Sequence, residues 1–77
     1  MSLVEELADA LSDDTMKAML ENGDDRFYEK VAKVIGISSP TLEEAYLTSI
    51  RIRLAEQRAR RFLESERAKA TRPPTAS

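Results

Sequence analysis

The chain contains no cysteine, no histidine and no tryptophan among its 77 residues. The missing cysteine rules out a disulfide and a thiolate metal centre. Without histidine it lacks the commonest general base and the commonest zinc ligand. No apolar run approaches the ~18 residues of a membrane span. Acids stand near the start, at Glu5 and Glu6, where a secretory signal would carry bases. A soluble, cytoplasmic protein that is not an enzyme is expected, with no cofactor, no metal and no membrane partner. Glycine and proline are also scarce, with two and three residues, so long uninterrupted helices are favoured.

The charge that is present is unevenly placed. Residues 1–44 carry eleven acids and four bases, whereas residues 45–77 carry three acids and eight bases. An acidic head joined to a basic end is one way to bring part of a chain to nucleic acid. It is also a pattern for docking one copy on another, or on a protein partner with a basic surface.

The spacing of apolar residues predicts an all-α fold, a small bundle of three short helices plus one long C-terminal helix and a disordered tail. The single domain is expected over 1–70, with the acidic head at 1–39, the long helix at 40–70 and the tail at 71–77. Ser2 caps a first helix over 3–11. Ser12, followed by Asp13, Asp14 and Thr15, reads as the cap of a second helix that Gly23 ends. Asp24 or Asp25 caps a third, carrying Phe27, Val31, Val34 and Ile35 on one face, and Gly36 ends it. Asp13/Asp14 and Asp24/Asp25 are read as caps rather than metal ligands, because neither pair has the spacing of a calcium loop. Met16, Met19 and Phe27 are read as core. Ser39 caps the long helix, with Pro40 at its first position.

That long helix has two apolar stripes on different sides. Leu42, Tyr46, Ile50 and Leu54 are suited to covering the head. Ile52, Ala55, Ala59, Phe62 and Leu63 lie on nearly the opposite side at coiled-coil spacing. A chain this short has little left to cover them unless the first helix folds back. The expectation is an association seam and a homo-oligomer through the long helix.

Residues 28–47 carry one further pattern. Ala32, Gly36, Ile37, Ser38, Thr41 and Leu42 follow one another in an order and spacing that resembles the helix-turn-helix motif of DNA-binding proteins. The resemblance implies that Ala32 permits a close crossing, that Gly36 makes a left-handed turn and that Ile37 and Leu42 plug the corner. It also implies candidate DNA contacts at Ser38, Ser39, Thr41 and Tyr46. Glu43 and Glu44 stand among those positions, and carboxylates there would repel phosphates.

Arginine is suited to phosphate, so Arg51, Arg53, Arg58, Arg60, Arg61 and Arg67 are the remaining nucleic-acid contact candidates. A solvated helix with internal ion pairs such as Glu56–Arg60 explains the same residues without a ligand. Two functions follow. One is an oligomeric DNA-associated protein, a regulator or a packaging-type DNA-recognition subunit. The other is a protein–protein adaptor or inhibitor that docks through its acidic head and the seam, without nucleic acid.

Overall fold

The computed structural model describes residues 1–71; of the tail expected at 71–77, Thr71 is instead helical, and residues 72–77 lie outside those described. The chain forms three helices rather than four: α1 (Leu3–Asn22), α2 (Phe27–Ser38) and α3 (Pro40–Thr71). Ser2 caps α1 as expected, its hydroxyl accepting from the Glu5 N–H at 3.2 Å.

The break expected at Ser12 is absent. Ser12 and Thr15 are both buried, and each hydroxyl donates to a carbonyl one turn back within α1: Ser12 to Ala8 at 2.8 Å, Thr15 to Leu11 at 2.7 Å. Their capping preference is overridden because tertiary packing keeps these positions helical. Asp13 and Asp14 therefore cap nothing. Asp13 bonds Lys17 and Arg53 instead, and Asp14 is exposed.

Gly23 ends α1 in the left-handed conformation, at φ 67°, and its N–H bonds the Met19 carbonyl. The α1–α2 turn is held by Asp24. Its carboxylate accepts from the Arg26 N–H at 3.0 Å and pairs with Lys30, while the N-cap position of α2 is Arg26.

Gly36 is not a helix end. It lies inside α2, which continues to Ser38, and Gly23 is the positive-φ residue among those described. A single residue, Ser39, joins α2 to α3, and its hydroxyl accepts from the Leu42 N–H at 3.1 Å. Ile37 does not plug this corner; it is 86% exposed, and Val34 on the same helix is 68% exposed. α3 is unbroken from Pro40 onward, roughly 48 Å at 1.5 Å per residue.

The core is built where Ala8 of α1 and Ala32 of α2 let both helices close on Tyr46, Ile50 and Leu54 of α3. Phe27, Met16 and Met19 are partly buried, the two methionines packing against this core. Asp9 and Asp13 of α1 reach Arg53, while Met16, Met19 and Leu20 share a cleft with Leu54, Gln57 and Arg61. α1 thus runs in the same direction as α3, and its last turn ends beside Arg61. The remaining turns of α3 extend past the head.

Candidate association and nucleic-acid surface

Packing against the head divides α3 lengthwise. The head takes the side bearing Tyr46, Ile50 and Leu54. The opposite side keeps Ile52 at 64%, Phe62 at 63% and Leu63 at 55% exposure, with Ala55 and Ala59 exposed between them. α1 does not fold back over this stripe. Its N-terminal half instead flanks it, leaving a largely apolar groove of about 410 Å³ lined by Met1, Glu5, Ala8, Asp9, Ala45 and Ile52.

The expected nucleic-acid contacts separate by geometry. Tyr46 is removed from contact altogether. It is fully buried, its hydroxyl lying 3.0 Å from Thr15 Oγ1 and 3.2 Å from the Tyr28 carbonyl oxygen. Burial pushes its phenol up from the ordinary value. Ser39 is spent on capping α3, whereas Ser38 and Thr41 are exposed. Glu43 folds back toward α2, where its carboxylate covers the Gly36 backbone. Glu44 is exposed.

The arginines fall into two groups. Arg53 is half-buried and clamps α1 to α3: one Nη bonds Asp9 Oδ1 at 2.5 Å, the other Asp13 Oδ1 at 3.3 Å. The Asp9 hydrogen bond, chiefly, raises the Arg53 pKa. The Lys17 ammonium, then Arg53, holds the Asp13 carboxyl below its ordinary value. Arg60 is paired with Glu56 one turn away. Arg67 also has a partner.

Arg51, Arg58 and Arg61 are exposed and take part in no ion pair among the described residues. At 100° per residue Arg51 and Arg58 lie about 20° apart, on the edge of α3 next to the apolar stripe. Arg61 falls between the directions of Ile50 and Leu54, on the head side, in the cleft with Met16, Leu20, Asp24 and Asp25. Glu29 of α2, engaged bidentately by Arg26, also feels Lys33 and Arg51. Lys33 of α2 and Arg51 therefore share one side of the molecule.

The sequence lists all these arginines equally. What separates them is the rotation of α3 against α1, which sets Arg53 against Asp9 and Asp13. The caps at Ser2 and Ser39 were legible; the roles of the paired aspartates and the clamp at Arg53 were not.

No three of the described residues among Asp, Glu, His and Cys form a group able to hold a metal ion, and no described helix is long and apolar enough to cross a membrane. Comparison with known proteins matches no family model, no curated protein and no solved structure.

Proposed function

We infer that the chain is a small non-enzymatic DNA-associated protein that works as an oligomer through α3. The observation that carries this is the edge bearing Arg51 and Arg58, joined by Arg61 nearer the end of α1, three exposed guanidiniums without an internal ion pair among the described residues. Arg51 and Arg58 stand beside an uncovered apolar stripe on the same helix. An arginine row supplies phosphate contacts and no base reading of its own. The α2–α3 corner, with Ser38 and Thr41 exposed, adds a second place of contact. Glu44 beside it favours positioning over tight binding there.

The test is binding to a mixed-sequence duplex, followed by fluorescence anisotropy at about 50 and about 300 mM salt. Binding should weaken steeply with salt. Replacing Arg51, Arg58 and Arg61 together by Gln should flatten the slope of log K against log salt by about one per contacting arginine. Arg60→Gln, which removes a cation already paired with Glu56, should change it much less. A wild-type protein that ignores DNA at low salt sinks this function.

That outcome would favour the protein–protein adaptor. The exposed carboxylates of α1, including Glu6, Asp14 and Glu21, suit a partner with a basic surface.

A further inference from the structure

The stripe on α3 has a shape and a charge setting that choose their occupant. Ile52, Ala55, Ala59 and Phe62 follow each other at intervals of three, four and three residues, large at the ends and small in the middle. Two such stripes fit best when they run in opposite directions. Ile52 then faces Phe62 of the second copy, and Ala55 faces Ala59, so the backbones close over the alanines while the large side chains fill the flanks.

Charge separates the two directions further. Run in the same direction and in register, Glu66 would face Glu66. Glu44 would come beside Ser49 of the second copy, at a groove that already holds the carboxylates of Glu5 and Asp9. Run in opposite directions, Leu63 comes beside Ser49 instead. It enters the apolar groove between Met1, Ala8 and Ile52. Arg67, one turn beyond Leu63 on the same edge, then lies over the acidic first half of the second copy's α1. The head of each chain thus meets the basic end of the other.

We propose that a second copy of this chain docks on α3 in the antiparallel direction, as a symmetric dimer with Ala55 opposite Ala59. The proposal rests on the association reading above and gives it a direction and a register. It has a consequence for the arginine edge. In an antiparallel pair, like edges meet. The two Arg58 side chains come to one face with an Arg51 on either side, making one basic surface from two rows. Glu56 comes to the opposite face, where Arg60 of its own chain already holds it. The dimer's concentrated guanidiniums call for a polyanion, and a duplex presents one with matching two-fold symmetry.

A chain without cysteine permits a clean test. Ala55→Cys and Ala59→Cys are made separately, both at exposed positions, and oxidised alone and mixed. Antiparallel pairing should give a disulfide-linked dimer in the mixture. It should give little in either sample alone, where the sulfurs sit one helical turn apart along the axis and too far for a bond. A strong cross-link from Ala59→Cys alone would show the parallel pair and overturn the proposal. So would a mixture that fails to cross-link while light scattering shows a dimer. A monomer by light scattering would overturn both the proposal and the association it rests on. A cross-linked mixture that does not bind DNA would uphold the pairing and sink only the nucleic-acid function. Leu63→Lys should shift the scattering mass toward monomer, and Val34→Lys, exposed on α2 away from the groove, should leave it unchanged.

Discussion

At the scale of single residues, the hydroxyl of Tyr46 shows how a polar group can specify a small core. The ring is buried between α1 and α2, and its oxygen has Thr15 and the Tyr28 carbonyl as partners. The single proton of the hydroxyl is shared between these two acceptors, so the hydroxyl contacts both α1 and α2 from α3. Thr15 can accept because it donates to Leu11, and no described buried side-chain polar atom lacks a partner. The sequence placed Tyr46 on the core-facing stripe and also among possible DNA contacts, because a tyrosine at a helix-turn-helix position suits both. Burial excludes the second. Tyr46→Phe should cost about 1 kcal/mol, the usual net value of such a hydrogen bond. Urea denaturation followed by helical circular dichroism reads this as a lower midpoint at unchanged slope. An unchanged midpoint would mean the ring alone holds the crossing.

At the scale of elements, the corner between α2 and α3 is tighter than its sequence suggests. A glycine followed by two serines and a proline reads as a helix end several residues long. The helix instead runs through Gly36, because the turn needs only Ser39, in an extended conformation, before Pro40 starts α3. Glycine at this position leaves room for the Glu43 carboxylate: a Cβ there would meet Glu43 Oε1 at 2.7 Å. That contact is with the end of a flexible side chain, which can swing into solvent. Gly36→Ala should therefore stabilise the protein by up to about 1 kcal/mol, through lower backbone entropy in the unfolded chain and better helix propensity. A thermal midpoint that falls would show that the carboxylate's seat on α2 contributes to closing the corner.

The same contrast explains which parts of the fold were legible. Ser2, Gly23 and Ser39 announce their caps because nothing else competes for them. Ser12 carries an equally good local signal, but its hydroxyl is used inside the bundle, donating to the Ala8 carbonyl and lying 3.4 Å from the Tyr46 carbonyl. The apolar stripes of α3 were legible from spacing alone. The Glu56–Arg60 pair was legible from its spacing, but the pairing of Arg53 depends on Asp13 and Asp9, 40 and 44 residues away, and no local pattern encodes it.

At the scale of the whole molecule, charge links stability to pH through the acidic head. The carboxyls of Asp13, Asp24 and Glu29 are all held below their ordinary values, by Lys17, Lys30 and Arg26 in turn. A carboxylate with a depressed pKa binds fewer protons in the folded state than in the unfolded one. Its contribution is present above the unfolded value, near 4, and is lost as pH falls through the folded value. With no histidine to titrate, stability should be flat from about pH 5 to about pH 9 and should fall below about pH 4. All three carboxyls are on the surface, so the loss per group is small. Asp13 matters beyond its own titration, because it is one of the two α1 acids that hold Arg53. Acid also leaves the chain's twelve bases unopposed, and that general repulsion adds to the loss. Asp13→Asn and Asp14→Asn separate the two effects. Each removes one acid, but only the first removes a partner of Lys17 and Arg53. Urea midpoints at pH 7 and pH 3 should show Asp13→Asn already weakened at pH 7 and less sensitive to acid than the wild type. Asp14→Asn should follow the wild-type curve. If both variants lose as much as the wild type between the two pH values, general repulsion governs acid unfolding and the Asp13 pairs contribute nothing to it.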